Sequence, residues 1–111
     1  YQTGEPLPRE LLQKAIVANR FNKGYETLEY LSAALLDLAW HSLSVEQIPN
    51  DAEEFERETL KRFQVDLPAI PPRYRSAYFA HIWSGGYSAG YYAYLWSEVL
   101  AADAFARMRE K

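Results

Sequence analysis

Residues 25–43, YETLEYLSAALLDLAWHSL, contain the clearest secondary-structure pattern in the sequence. Leucines recur there at intervals of three, four and three residues, which places one apolar stripe along an α-helix. That stripe consists of Leu28, Leu31, Leu35 and Leu38. Leu36 and Trp40 widen it, so we expect this helix to be covered on more than one side. The pattern predicts a buried helix at the centre of an α-helical fold.

Two further segments near this helix have helical spacing. Residues 8–21, PRELLQKAIVANRF, begin with a proline suited to a first helical position and end before Gly24. Residues 51–63, DAEEFERETLKRF, have acidic first turns and a basic last turn, which complements the helix dipole. Asn50 or Asp51 can cap this helix. Its expected inner face comprises Phe55, Thr59, Leu60 and Phe63, and its carboxylates are expected to form a solvated face.

Prolines interrupt the next part of the chain, in residues 64–72 (QVDLPAIPP). Residues 73–83, RYRSAYFAHIW, resume helical spacing up to Gly85 and Gly86. Gly90 is the one potential breaker between Tyr87 and Met108, so we predict a long final helix. No alternating pattern indicates a strand. The sequence therefore predicts an all-α fold of four or five helices, in a single partial domain over residues 1–111.

Composition excludes several functional classes. The 111 residues are 49% hydrophobic, with a net charge of −3 and basic residues scattered among acidic ones, which argues against a nucleic-acid partner. The absence of cysteine excludes disulfides and thiolate chemistry and fits a reducing compartment, so we predict a cytoplasmic location. No apolar run approaches the length needed to cross a bilayer. The chain lacks an initiating Met and stops in a charged run, so we expect it to be a piece of a longer protein.

An unusual concentration of phenol groups and glycine occurs in residues 81–96, HIWSGGYSAGYYAYLW. On the predicted final helix, Tyr87, Tyr91, Tyr94 and Glu98 share one narrow stripe. These hydroxyls need partners if they are buried. They can form hydrogen bonds with backbone carbonyls or with Glu98 in a packed interior. Alternatively, they can line a solvent-filled cleft and donate hydrogen bonds to a ligand. The pattern alone leaves both interpretations open.

The other polar residues give weaker signals. His41 lies at the end of a leucine-rich helix and is interpreted as structural, whereas His81 precedes the glycine pair and can be structural or ligand-binding. Arg73 and Arg75 flank Tyr74 and can clamp a carboxylate or lie free on the surface. Two isolated histidines do not constitute a zinc motif, so we predict no metal site in this chain.

Two blocks, residues 19–41 and 66–105, resemble the C-terminal helical region of the thimet oligopeptidase family of zinc metallopeptidases. Within that family the similarity is greatest to bacterial peptidyl-dipeptidases (dipeptidyl carboxypeptidases). It extends from about Leu11 to Phe105, and its most specific motifs are GGYSAGYYAYLW, preceded by His81, and FNKGYE at residues 21–26. The resemblance implies that the chain is the C-terminal piece of a larger, mostly helical, zincin-like peptidase that acts on short peptides.

Family members bind one zinc ion through H-E-x-x-H and a downstream glutamate, and the zinc activates a water molecule. This sequence contains no H-E-x-x-H. The resemblance therefore implies that zinc belongs to the full-length parent, with ligands outside this chain. It also implies that the chain alone is inactive.

The resemblance assigns roles to the residues that match the family motif. His81 contacts the substrate backbone, Tyr87 helps to hold the substrate, and Tyr94 stabilises the tetrahedral oxyanion. Tyr91 matches a substrate-binding position of less definite role, and Gly85 and Gly86 match a flexible loop that closes over the substrate. Trp83 and Ser84 depart from many relatives and can alter the shape of the pocket.

Residues 66–82 favour the dipeptidase branch, whose activity requires a group that binds a free C-terminal carboxylate. Arg73 or Arg75 is our hypothesis for that group. The alternative is a stand-alone helical binding or interaction module with a tyrosine-lined groove. Helices separated from their partners expose apolar faces, so we also expect the isolated chain to self-associate.

Overall fold

The computed structural model describes residues 2–110 and contains five α-helices and two short 3-10 turns. The helices are α1 (Arg9–Ala18), α2 (Lys23–His41), α3 (Ala52–Arg62), α4 (Ala80–Trp83) and α5 (Ala93–Arg109), and the 3-10 turns are Val45–Gln47 and Ser76–Tyr78. No strand occurs among residues 2–110. The predicted all-α fold is confirmed.

Helix α2 lies at the centre of the packing and contributes to two apolar clusters. In the first, it packs against α4 and the turn before α5, through Tyr30, Ala33, Ala34, Phe79, Ile82 and Tyr91. In the second, Leu36 packs against Leu60 of α3 and Val65 of the following loop. The expectation that this helix is covered on more than one side is confirmed.

The predicted leucine stripe is not the buried face of α2. Leu38 is 38% exposed, and Leu28, Leu31 and Leu35 are only half-buried, whereas Leu36 is completely buried. Small residues occupy most of the buried face, where Ser32, Ala33 and Ala34 lie next to each other. Because small side chains allow close approach of another backbone, this face can pack closely against its neighbours.

Helix α3 begins at its predicted cap, because Asp51 accepts hydrogen bonds from the backbone N–H groups of Glu53 and Glu54 at 2.9 and 3.0 Å. Thr59 and Leu60 are buried as predicted, but Phe63 is 39% exposed. The prediction that all carboxylates of α3 are solvated is wrong for Glu56, which is buried. The reason is that Arg75 and Ser76 donate hydrogen bonds to this carboxylate.

The predicted long final helix is wrong in its first turns, because α5 begins at Ala93 and residues 87–92 form turns. Gly86 and Ala89 have left-handed backbones, with φ values of +80° and +55°, which a continuous α-helix does not contain. The helix predicted over residues 73–83 is likewise reduced to the 3-10 turn Ser76–Tyr78 and the single turn of α4. The tyrosines before Ala93 are therefore not presented on a helix.

The molecule is elongated, with a radius of gyration of 19.0 Å against about 13 Å for a compact chain of this length. Neither α1 nor α5 has a buried residue. Large apolar side chains of both helices, among them Leu11, Val17, Val99 and Phe105, are exposed. These faces are suited to packing against further protein. Within residues 2–110, every helix is too short or too polar to cross a membrane.

Candidate functional site

The aromatic rings that precede and begin α5 form one group, which we call the tyrosine cluster: Tyr74, His81, Tyr87, Tyr91 and Tyr94. The Tyr87 and Tyr94 rings stack with centroids 5.2 Å apart, and Tyr91 lies edge-on to Tyr94 at 5.3 Å. The imidazole of His81 lies 5.5 Å from Tyr91 and 4.7 Å from Tyr74. Residues from three separate segments thus present one aromatic surface.

His81 contributes an unusual polar atom to this cluster. Its Nδ1 is buried and has no hydrogen-bond partner among the described residues. Buried polar atoms in native proteins nearly always have a partner. This nitrogen therefore lacks, among the described residues, the partner that such an atom normally has.

Two phenols of the cluster are accessible to solvent. Tyr87 is 38% exposed and Tyr94 is 42% exposed, whereas Tyr91 is buried. Hydrogen bonding to the side chain of Tyr87 raises the pKa of Tyr94 to about 12. The Tyr94 hydroxyl therefore stays protonated, and able to act as a neutral donor, further into the alkaline range than an ordinary tyrosine. An accessible neutral donor can approach a partial or full negative charge without losing its proton.

Tyr91 is the buried anchor of the cluster. Its ring stacks on Tyr30 of α2 at 5.1 Å and lies edge-on to Phe79 at 4.8 Å. The Tyr30 hydroxyl donates to the Tyr91 carbonyl and accepts the Leu95 N–H at 3.2 Å. Burial raises the pKa of Tyr91. The first turn of α5 is therefore held on α2 through both the ring and the backbone of residue 91.

The glycine pair has two local structural roles. A Cβ at Gly85 would lie 2.9 Å from the carbonyl oxygen of His81, which is too close for any other residue. Gly86 needs its left-handed backbone, with φ of +80°, and the next N–H, that of Tyr87, donates to the same carbonyl at 3.0 Å. The pair thus folds the chain tightly back over α4, and closure over a substrate stays a prediction.

Both candidate arginines make ion pairs within the chain. Arg73 contacts Glu29 of α2 at 2.8 Å, and its guanidinium lies over the Tyr30 ring, 5.7 Å from the centroid, which in turn stacks on Tyr91 of the cluster. Arg75 pairs with Glu56 of α3. Of the two, Arg73 is the one next to the tyrosine cluster.

Sequence reasoning missed three residues that shape the site: Tyr74, Asp37 and Glu56. Asp37 is completely buried on α2 and binds the turn that carries Tyr91. It is the one acidic residue between Glu29 and Glu46, inside an apolar helix, and that isolation could have identified it. His41, interpreted as structural, contacts Asp37 through Nδ1 at 2.8 Å.

The side chains of the described residues offer no metal-binding group. Among residues 2–110, no three His, Asp or Glu side chains lie close enough together to hold a metal ion. The described residues thus do not fit a zinc centre, and the chemistry available to them is hydrogen bonding from phenol, imidazole and backbone groups.

The chain is a helical segment that presents exposed phenols in one cluster with a histidine whose Nδ1 has no partner among the described residues, and comparison with known proteins gives its family. The model of peptidase family M3 matches residues 1–111. The chain belongs to peptidase family M3.

Curated relatives agree with this membership. The chain is 57% identical to the dipeptidyl carboxypeptidase of Escherichia coli K12 over 105 residues, covering 95% of this chain and 15% of the relative. It is 41% identical to oligopeptidase A of the same organism, covering 100% of this chain and 16% of the relative. Organellar oligopeptidase A of Arabidopsis thaliana is 38% identical to the chain, and the match covers 99% of this chain and 14% of the relative. The chain therefore spans about 15% of the length of these relatives.

Proposed function

We propose that this chain forms part of the substrate-binding wall of a zinc-dependent peptidyl-dipeptidase, as the C-terminal piece of a longer enzyme that cleaves short peptides. The observation that supports it best is the tyrosine cluster, in which the ring of the exposed, neutral Tyr94 and the imidazole of His81, with its unpartnered Nδ1, both lie against Tyr91. The names of the relatives, dipeptidyl carboxypeptidase and oligopeptidase A, agree with peptide hydrolysis.

Tyr94 has the central role in this proposal. Attack on a peptide carbonyl leaves negative charge on its oxygen, and the Tyr94 hydroxyl donates a hydrogen bond to that oxyanion. A donor that meets charge only as it develops typically contributes about 3–4 kcal/mol to transition-state stabilisation. Replacement of Tyr94 by phenylalanine in the full-length peptidase tests the proposal, because it removes the donor and leaves the ring.

The remaining residues of the site hold the peptide. Tyr87 donates to the substrate while its ring supports that of Tyr94, and the imidazole of His81 contacts the peptide backbone. Tyr91 fixes the cluster on α2, and Gly85 and Gly86 allow the main chain to pass close to the bound peptide. None of these groups cleaves a peptide bond alone, so we expect the isolated chain to be inactive.

Zinc, in this proposal, is held by residues outside this chain and supplies an activated water molecule when bound. The self-association of the isolated chain and its cytoplasmic location stay predictions. The exposed apolar faces of α1 and α5 agree with the first of these.

Arg73 is proposed as the group that recognises the free C-terminus of the substrate. A guanidinium has five donors, so Arg73 can hold Glu29 and a second carboxylate together. We expect Arg73→Gln to lower the activity ratio of free to C-terminally amidated peptides by roughly tenfold, since one charge-assisted hydrogen bond is lost. Arg75→Gln is the matched control, because Arg75 pairs with Glu56. An unchanged ratio in both variants would exclude the arginines.

The alkaline pH dependence of turnover gives a second prediction. A phenol donates only while protonated, so raising the pKa of Tyr94 from 10.0 to about 12 extends its function to higher pH. Tyr87→Phe removes the main cause of that shift. We expect the alkaline decline of kcat to move to lower pH in this variant, toward 10. A pH profile of kcat that declines at the same pH in both proteins would contradict the prediction.

A further inference from the structure

The buried carboxylate of Asp37 binds the turn between the glycine pair and α5. Its Oδ1 accepts the N–H of Ala89 at 2.8 Å, and its Oδ2 accepts the N–H of Tyr91 at 2.9 Å. The Nδ1 of His41 contacts Oδ1 at 2.8 Å and also the Asp37 carbonyl oxygen at 2.9 Å. Because both contacts are acceptors, this nitrogen carries the proton. Three donors therefore converge on one fully buried carboxylate.

The turn of residues 87–92 depends on this interaction for its shape. Ala89 has a φ of +55°, a left-handed backbone that is strained for a residue with a Cβ. The N–H groups of Ala89 and Tyr91 point at α2, and Asp37 is their acceptor. Without that acceptor, the sequence GYSAGYYAYLW has no proline to prevent helix formation through residues 87–92. Asp37 thus selects a turn over the continuous helix that the local sequence favours.

The start of α5 follows from the shape of this turn. Helix α5 begins at Ala93, directly after the residues bound by Asp37, and its position sets the direction of the Tyr94 ring. If residues 87–92 were helical, Tyr87, Tyr91 and Tyr94 would extend along one stripe over two helical turns. In the observed turn, Tyr87 stacks directly on Tyr94.

We propose that Asp37 is a positioning residue of the peptidase, which places the Tyr94 and Tyr87 hydroxyls by fixing the turn before α5. It touches neither substrate nor reacting atoms and acts through the backbone of Ala89 and Tyr91. The inference rests on the proposed role of Tyr94 in stabilising the oxyanion.

The test uses Asp37→Asn in the full-length peptidase. Asparagine keeps the size of the side chain but offers one acceptor and an NH₂ group, so one of the two backbone N–H groups faces a donor. We expect kcat to decrease by roughly tenfold or more, with KM within about threefold, because small displacements of catalytic groups have effects of this size. Ser32→Ala is the matched control, since Ser32 is also fully buried on α2 but its hydroxyl donates to the Leu28 carbonyl of the same helix, and to no other group among residues 2–110. Its kcat is expected to be unchanged.

A double-substitution cycle distinguishes positioning from general loss of stability. If Asp37 acts through Tyr94, the Asp37→Asn/Tyr94→Phe protein has a kcat within about twofold of Tyr94→Phe alone, because coupled residues are not additive. Fully additive effects would overturn the inference and leave the role of Tyr94 intact. A normal kcat in Tyr94→Phe would overturn both together.

A measurement on the unsubstituted peptidase covers the case in which Asp37→Asn does not fold. Residue-resolved hydrogen–deuterium exchange compares the amides of Ala89 and Tyr91 with that of Ser88, which has no acceptor among residues 2–110. We expect the first two amides to exchange at least tenfold more slowly, as amides in stable hydrogen bonds do. Equal exchange of the three amides would overturn the inference.

Discussion

Replacement of Tyr94 by phenylalanine is expected to lower kcat of the full-length peptidase by roughly 10²-fold, with little change in KM. The ring still stacks on Tyr87 and lies edge-on to Tyr91, so the substitution removes one hydroxyl and little packing. Because the oxyanion exists only after attack on the carbonyl, the hydroxyl strengthens binding of the transition state far more than that of the peptide. The loss therefore affects turnover rather than substrate affinity.

Steady-state kinetics on a short peptide with a free C-terminus measure this effect. Tyr92→Phe is the matched control, because Tyr92 is an exposed tyrosine of the same turn and belongs to no ring pair of the tyrosine cluster. Its kcat is expected to remain within about twofold of the unsubstituted enzyme. A Tyr94→Phe enzyme with normal kcat, or with an increase in KM alone, would show that Tyr94 is not the oxyanion donor.

The sequence predicted the helices that depend on local pattern. The central helix α2 and the capped helix α3 were both predicted from periodicity and from charge order, and both are present. These signals are local, since a cap and an apolar repeat act within a few residues of each other. The same pattern did not identify the buried face of α2, because that face depends on which neighbour approaches most closely.

Long-range hydrogen bonds explain the main error in the fold prediction. Residues 87–92 have helical composition, but Asp37 lies more than 50 positions earlier and binds the N–H groups of Ala89 and Tyr91. Sequence periodicity contains no information about such a partner. Tyr87, Tyr91 and Tyr94 were nevertheless predicted to lie together, and their rings are in contact. They meet through a turn rather than along a helix, and their roles in catalysis stay predictions.

Glu56 is a second residue whose burial cannot be predicted from local sequence. The segment EEFERETLKR contains four glutamates, and local composition does not distinguish the buried one from the solvated ones. The structure distinguishes it by donors from residues 75 and 76. Its Oε2 accepts the backbone N–H and the hydroxyl of Ser76 at 2.8 and 2.9 Å, and its Oε1 accepts from Arg75. This carboxylate joins α3 to the segment that leads to His81.

Glu56→Ala is consequently expected to destabilise this part of the protein by about 2 kcal/mol. Removal of the carboxylate leaves the buried N–H of Ser76 without its acceptor, which costs about 1–3 kcal/mol for such a group. Arg75 is half-exposed and can be solvated, so its loss of a partner adds little. Hydrogen–deuterium exchange of the full-length peptidase measures the effect. The amide of Tyr78, which donates to the Arg75 carbonyl at 3.0 Å, is expected to exchange roughly 30-fold faster.

Glu58→Ala is the control for this substitution, because Glu58 lies on the same helix and is exposed. Its effect is expected to be within about 0.5 kcal/mol, as for most surface substitutions. If the two variants have equal exchange at Tyr78, Glu56 does not hold the segment before α4, and the buried network of Ser76 and Arg75 contributes nothing measurable. If only Glu56→Ala increases exchange, the buried carboxylate stabilises the segment from which His81 enters the tyrosine cluster.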